Sequence, residues 1–196
     1  MLTTVRFTVD EYSRMAALLG ERRTELIDGQ IVLMAPMHTA HLTLISRLMR
    51  MLAEVNAQGR LLVQLPLVLG KFDEPEPDVV ILKQLVDLRK PLAADASLVI
   101  EVADSSYEHD RYTKLPRYLA AGVALVWIVN IAKAARPRLE SYTTTVGPDT
   151  TRSSGVMDLP DDAGVLDLDV LFAGIEGLPA DEQPPAAPDR PSQGAG

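Results

Sequence analysis

The chain has 196 residues, of which 47% are apolar and 23% charged, a balance typical of a globular protein with one hydrophobic core. It has no cysteine, which excludes a disulfide framework, a thiolate nucleophile and a zinc–cysteine site. The net charge of -8 arises after residue 148, because residues 1–148 contain 17 acidic and 17 basic side chains, so the chain lacks the basic excess typical of a dedicated DNA-binding domain.

Two features of the sequence predict a cytoplasmic protein without a membrane contact. Residues 1–10 have no apolar stretch that could serve as a signal peptide. The longest uncharged, apolar-rich run, residues 119–132, is too short to span a membrane and is interrupted by Asn130.

The first third of the chain predicts a helix, a hairpin and a second helix. A helix over residues 7–19 has Thr8 as its N-cap and Glu11 three positions later, the pattern of a capping box. Asp28-Gly29 separates two apolar runs and predicts a β-hairpin. Apolar residues at helical spacing then predict one helix from Thr39 to about Gly59.

The middle of the chain predicts three strands and a helix. Residues 61–70 form the first strand, in which Pro66 indicates an edge or a bulge. Two buried strands follow, over residues 76–82 and 98–102. A polar loop over residues 104–112 then precedes a helix from Lys114 to Ala121, with Thr113 as its N-cap and Pro116 in its first turn.

The remaining segments complete a mixed α/β fold. A strand over residues 123–131 and a partner over residues 138–145 precede a last, half-exposed strand over residues 166–170, with Asp167 and Asp169 on its solvent face. The core order is helix, strand, strand, strand, helix, strand, which predicts a mixed sheet flanked by helices, with a hairpin before it and a strand pair after it. Residues 1–177 are predicted to form one domain and residues 178–196 a disordered tail rich in Pro, Ala and Gly.

Each of the two central buried strands carries one carboxylate, Asp78 and Glu101. A lone carboxylate in apolar surroundings resists ionisation, so two of them on neighbouring strands need a common reason to be charged. A divalent cation bound between them supplies that reason. The strand pattern alone also fits a strand-start aspartate and an ion-paired glutamate.

The arrangement of these carboxylates resembles the PD-(D/E)xK nuclease superfamily, in which Pro-Asp on one strand is followed by Glu on the next and by a lysine. Further segments are similar to the Uma-two family of restriction-endonuclease-like proteins over roughly residues 5–172: Glu25-Leu-Ile-Asp-Gly, Pro77-Asp-Val, Val99-Ile-Glu-Val, Asp110-Arg, Lys114-Leu-Pro-Arg-Tyr118, Ala121-Gly-Val and Trp127-Ile-Val. The resemblance implies a restriction-endonuclease-like core.

One position departs from the superfamily pattern, which has a lysine two residues after the glutamate. This chain has Ala103 there. The resemblance implies that the lysine has moved to the following helix, as Lys114.

The resemblance also implies the chemistry of the site. Mg²⁺, with Mn²⁺ as a substitute, would be bound by Asp78, Glu101 and the carbonyl of Val102, because Mg²⁺ needs few protein ligands and keeps several waters. Lys114 would orient the attacking water or offset charge on the phosphate. Glu25 would be a second-metal ligand or a water-positioning carboxylate, or else a residue that merely flanks the hairpin.

Two further residues are weaker candidates for substrate contact. His41 lies at the start of a helix and would border the site, and Arg111 would hold a phosphate or pair with a nearby acid. The expected activity is Mg²⁺-dependent hydrolysis of DNA phosphodiesters, in a homodimer if two strands are cut. The alternatives are a catalytically inactive binding or assembly module with the same fold, and a hydrolase acting on RNA or a nucleotide.

Overall fold

A central six-stranded sheet organises the structure, a computed structural model that describes residues 5–20, 22–34, 36–87, 89–132 and 136–175. The helices are α1 (Val9–Leu19), α2 (Thr39–Met51), α3 (Ala53–Ala57), α4 (Tyr107–His109), α5 (Leu115–Ala120) and α6 (Leu168–Phe172). The strands are β1 (Thr24–Ile27), β2 (Gln30–Leu33), β3 (Leu61–Val63), β4 (Val79–Leu82), β5 (Ala96–Ala103), β6 (Val126–Asn130), β7 (Arg138–Tyr142), β8 (Thr150–Arg152), β9 (Val156–Asp158) and β10 (Val165–Asp167).

The sheet has the mixed topology that the sequence predicts. Its strand order is β3-β4-β5-β6-β7-β8, in which β5 and β6 are parallel and the other neighbours antiparallel. The parallel pair requires a crossover connection, which the helical segment between β5 and β6 provides. The predicted core order of helix, three strands, helix and strand is therefore confirmed.

The N-terminal segments form as predicted. The Thr8 hydroxyl accepts a hydrogen bond from the Glu11 N–H, and the Glu11 carboxylate accepts one from the Thr8 N–H, which completes the capping box of α1. In the hairpin between β1 and β2, Asp28 and Gly29 have φ values of 51° and 73°. Two successive residues with positive φ are what a type I′ turn requires.

Two predicted elements are shorter in the structure. The helix predicted from Thr39 to Gly59 is interrupted at Leu52, so that α2 and α3 are separate. The strand predicted over residues 61–70 pairs with β4 only over β3. Gln64 has a left-handed φ of 50°, which interrupts the regular strand, and Pro66 has no N–H to donate to a ladder.

Strand β5 is buried on both faces because helices cover the two sides of the sheet. Leu98, Ile100 and Val102 pack in a cluster with α2 and α6. The alternate residues Val99 and Ala103 pack in a second cluster with Leu115 and Tyr118 of α5. Since side chains alternate along a strand, Glu101 points to the α5 side. This is how the fold aims one carboxylate of β5 at the helical segment.

The segment between β5 and β6 differs from its prediction. Residues 107–109 are helical rather than part of a polar loop, and a π-helical turn over Asp110–Lys114 connects α4 to α5. Thr113 therefore lies inside the helical segment and is not an N-cap. Pro116, which suggested a helix start, follows the widened turn, where its missing N–H and its ring are easier to accommodate than in a regular α-helix.

The C-terminal segments also differ from their prediction. β7 pairs with β8 at the edge of the main sheet, whereas β9 and β10 form a separate antiparallel pair. The strand predicted over residues 166–170 ends at Asp167, whose carboxylate accepts hydrogen bonds from the N–H groups of Asp169 and Val170 and so begins α6. Asp167 and Asp169 are thus helix-start residues and not a solvated strand face. The predicted tail over residues 178–196 lies outside the described residues.

Among the residues that the structure describes, no helix has the length and apolar character needed to cross a bilayer.

A buried carboxylate in β7 connects the sheet to α4. Glu140 is 3% exposed and accepts hydrogen bonds from the hydroxyls of Tyr142 (2.6 Å) and Tyr107 (3.0 Å), from the Asn130 amide (3.2 Å) and from Nε of Arg138 (2.7 Å). Burial raises the pKa of Glu140, but the hydrogen bonds outweigh this, so the net shift of its pKa is downward. The charged form of Glu140 therefore stabilises the fold.

Replacing Glu140 with glutamine should lower the free energy of unfolding at pH 7 by about 1.5–3 kcal/mol, because it loses charge-assisted hydrogen bonds. A lowered folded-state pKa contributes stability above the unfolded value of 4.5, and that contribution is lost as the pH falls through the folded-state pKa. Urea unfolding at pH 7 and pH 3 measures both effects. The difference in free energy of unfolding between wild type and E140Q should be smaller at pH 3 than at pH 7. The control E54Q changes an exposed position of α3 and should match the wild type at both pH values. An equal gap at both pH values would contradict the account.

Candidate functional site

The register of the sheet brings Asp78 and Glu101 together. β4 and β5 pair Val79 with Ile100, so Asp78, one residue before β4, lies opposite Glu101. The Asp78 N–H donates to Oε2 of Glu101 (3.3 Å), and the Val102 N–H donates to Oδ2 of Asp78 (2.8 Å). Both side chains are almost fully buried. The predicted proximity of these two carboxylates is a feature of the structure.

Lys114 reaches the same place from the π-helical turn. Its Nζ lies 3.2 Å from Oε1 of Glu101, 3.3 Å from Oε2 of Glu25 and 3.6 Å from Oδ1 of Asp110. Burial lowers the pKa of Lys114, but the surrounding carboxylates outweigh burial, and the net shift of its pKa is upward. The lysine is therefore a permanently charged group held between three acids.

One lysine does not offset all of this negative charge. Burial, together with the neighbouring charges of Asp110 and Asp78, raises the pKa of Glu101 well above its usual value even though Lys114 opposes the shift. Burial also raises the pKa of Asp110, with a contribution from Asp78. The Tyr118 hydroxyl donates to Oε1 of Glu101 (2.6 Å) and spreads some of the charge. The site thus holds more carboxylates than its own cations neutralise.

Two histidines flank the carboxylates. Nε2 of His41 lies 2.9 Å from Oδ1 of Asp78, and Nε2 of His109 lies 3.0 Å from Oε1 of Glu25. Burial lowers the pKa of His41, but the hydrogen bond and charge of Asp78 outweigh it and the pKa is raised. Burial raises the pKa of Glu25, but His109 and Lys114 outweigh it and the pKa is lowered. Glu25 is therefore an ionised acceptor.

These groups line an open cleft of about 260 Å³. One side of the cleft is polar and carries the acids, Lys114 and the histidines. The other side is apolar and comes from β2 and the segment that leads to α2. The apolar lining residues are Val32, Leu33, Met34, Pro36 and Met37.

The structure brings together most of the residues predicted for the site. Asp78, Glu101, Lys114, Glu25 and His41 all line the cleft, and the Val102 backbone contacts Asp78. Arg111 lies elsewhere: its guanidinium stacks 4.7 Å from the centre of the Tyr142 ring and donates to the Thr145 carbonyl. The substrate contact predicted for Arg111 gains no support from this position.

His109, Asp110 and Tyr118 contact the acids or the lysine of the site and were not among the residues predicted for it. Asp110, Lys114 and Tyr118 recur at intervals of four, a spacing that places residues on one face of a helix. Because a loop was predicted over residues 104–112, this helical spacing was not recognised. A helix predicted to begin at residue 107 would have placed the three residues on one face.

The donor groups of the site suit a magnesium ion better than a metal with many protein ligands. Among the described residues, no three His, Asp or Glu side chains are already arranged as a metal-binding group. Mg²⁺ is usually bound by one or two carboxylates, with water and substrate completing its shell. Asp78 and Glu101 provide this number of oxygen ligands, in a place with excess negative charge.

Comparison with solved structures supports the fold. The chain is similar to a protein from Anabaena variabilis ATCC 29413, whose crystal structure is described as that of a "putative nuclease belonging to DUF820". The two share 17% sequence identity with a TM-score of 0.65, and the match covers 86% of this chain and 99% of the other. At this identity the likeness shows a common fold.

Comparison with known sequences gives the family. No curated protein gives a significant match. The family model Uma2, described as "Putative restriction endonuclease", matches residues 9–172. That range contains the sheet, the helical segment between β5 and β6 and every residue of the cleft, and so the chain belongs to the Uma2 family.

Proposed function

We propose that this protein is a Mg²⁺-dependent endonuclease that hydrolyses DNA phosphodiester bonds at the cleft between β1, β4, β5 and the helical segment. The observation that carries the proposal is the buried pair Asp78 and Glu101 beside a lysine that three acids share. Such a cluster is costly to bury for stability alone. It suits a site that acquires its remaining positive charge from a bound cation.

The backbone beside the pair supplies a third oxygen for the ion. In an extended strand the N–H and C=O of one residue point to the same side, and the Val102 N–H points to Asp78. The register of β4 and β5 continues to Pro77 opposite Val102, and proline has no N–H to offer. The Val102 carbonyl is therefore well suited to join Asp78 and Glu101 as a ligand.

Each side chain has a role in the proposed reaction. When bound, Mg²⁺ offsets charge on the phosphate and lowers the pKa of a water molecule, and Mn²⁺ could substitute for it. Lys114, fixed by Glu101, Glu25 and Asp110, stabilises negative charge that develops on the phosphate. Glu25 would act as a positioning carboxylate, because its two oxygens already face Lys114 and His109.

DNA is the substrate that the family description favours, and RNA or a nucleotide would be distinguished by the cleavage assay. The lining of the cleft contains two residues that are permanently cationic, Arg23 and Lys114, and both face carboxylates. Much of the attraction for a phosphate would then come from the bound ion. Cleavage of both strands of a duplex would need two such sites, which a homodimer provides.

A specific observation favours the second candidate, an inactive binding or assembly module. Both oxygens of Asp78 already accept internal hydrogen bonds, from Val102 and His41, and the superfamily's usual lysine position is Ala103. In an inactive module these contacts would be structural and no ion would bind. The two experiments below separate the candidates.

Replacing Asp78 with asparagine should abolish metal binding and lower DNA cleavage by at least about 100-fold, because it removes a charged ligand from the ion that stabilises the transition state. Isothermal titration with Mg²⁺ and Mn²⁺ measures the first effect, and plasmid cleavage with and without EDTA measures the second. D87N changes an exposed aspartate and should match the wild type. A wild type that binds neither ion would favour the inactive module.

Replacing Glu101 with glutamine should leave the melting temperature at pH 7 unchanged or higher, although cleavage is lost. A raised folded-state pKa means that the ionised form destabilises the fold above the unfolded value of 4.5. Glutamine removes this destabilisation, so the difference in melting temperature between E101Q and wild type should vanish as the pH falls below that value.

Replacing Lys114 with methionine should instead lower the free energy of unfolding by about 3–5 kcal/mol, because it leaves buried acids without their cation. Thermal melts without metal test both, and a strongly destabilised E101Q would indicate a structural ion pair.

A further inference from the structure

His109 is a residue of the cleft with no part in the proposed metal site. It ends α4 and borders the cleft on the side of Glu25 and Lys114. Its side chain is 35% exposed and lines the cleft, so part of the ring is accessible to a molecule there. The position of Nε2 is fixed by Glu25, because Nε2 lies 3.0 Å from Oε1 of this buried carboxylate.

The partner of Nε2 determines which ring nitrogen can exchange a proton. Glu25 is ionised, because its pKa is lowered, and an ionised carboxylate can only accept a hydrogen bond. Nε2 must therefore carry a hydrogen, and Nδ1 is the nitrogen that gains or loses a proton. Within the part of the chain that the structure describes, no hydrogen bond occupies Nδ1. This is the arrangement of a histidine that a carboxylate orients for proton transfer.

The position of Glu25 strengthens this interpretation. The same carboxylate contacts Lys114 through Oε2, and Lys114 contacts Glu101. His109 is thus connected through two buried groups to the acid that faces Asp78. A single buried carboxylate therefore holds both the lysine and the histidine at the edge of the cleft.

We propose that His109, oriented by Glu25, is the general acid that protonates the leaving oxygen of the phosphodiester, an inference that rests on the proposed endonuclease function. A sugar alkoxide is a poor leaving group, and a proton supplied by a well-placed side chain accelerates its departure. Histidine suits this task because each of its two ring nitrogens can carry a proton, so that one can donate to Glu25 while the other donates to the leaving oxygen.

The proton and electron balance of the step is complete. Water forms the new bond to phosphorus and releases a proton to solvent. The bond between phosphorus and the leaving oxygen breaks, and its electron pair stays on that oxygen. The proton on Nδ1 of His109 moves to the oxygen to give the free hydroxyl, and the imidazole then takes a proton from solvent.

The test compares two substrates that differ in the need for a general acid. One is an oligodeoxynucleotide. The other is thymidine 5′-(p-nitrophenyl phosphate), in which p-nitrophenolate replaces the leaving sugar oxygen and departs as a stable anion without a proton. H109Q should lower cleavage of the oligonucleotide by about 100- to 10,000-fold while changing cleavage of the nitrophenyl ester by less than about threefold. Retained ester cleavage also shows that the variant is folded.

A substitution at the neighbouring position 108 is the matched control, and each possible result of the test has a different consequence. E108Q changes an exposed residue of the same helix and should cleave both substrates as the wild type does. Equal losses of H109Q on both substrates, or no loss on the oligonucleotide, would overturn the role of His109 and leave the endonuclease intact. A wild type that cleaves neither substrate with Mg²⁺ or Mn²⁺ would overturn the proposed function, and the inference with it.

Discussion

The ammonium of Lys114 lies among carboxylates from three separate parts of the chain: Glu25 of β1, Glu101 of β5 and Asp110 of the π-helical turn. A charge buried in this way must be paired, because an unpaired one costs several kcal/mol. The hairpin, the sheet and the helical segment therefore all contact one cation, which helps to fix their relative arrangement. The cleft exists because these three elements meet there.

The same arrangement explains why the site keeps more negative than positive charge. Tyr118 donates to Glu101, but a hydroxyl only spreads charge and does not remove it. The pKa of Glu101 and that of Asp110 remain raised. A folded state that keeps such groups beside an open cleft sacrifices stability at the point where the proposed cation would restore it. This is the usual relation between stability and activity at a preorganised site.

The sequence predicted local features better than tertiary ones. The capping box at Thr8 and the turn at Asp28 depend on nearest neighbours, and both formed. The meeting of Asp78 and Glu101 was expected from two buried strands, each with one acid. The contact of His109 with Glu25 spans 84 positions, which no local pattern reports. Pro116 correctly indicated the first turn of α5, but this helix continues from a π-helical turn and not from the predicted loop.

The π-helical turn is equivalent to an α-helix with one residue inserted. A π-helical turn accommodates one more residue than the equivalent stretch of α-helix, and one residue rotates a helix by about 100°. The widened turn therefore sets the rotation between the face of α4 that carries His109 and the face of α5 that packs Leu115. Removing one residue between Asp110 and Lys114 would rotate one helix relative to the other, and would redirect either the lysine or the histidine away from the cleft.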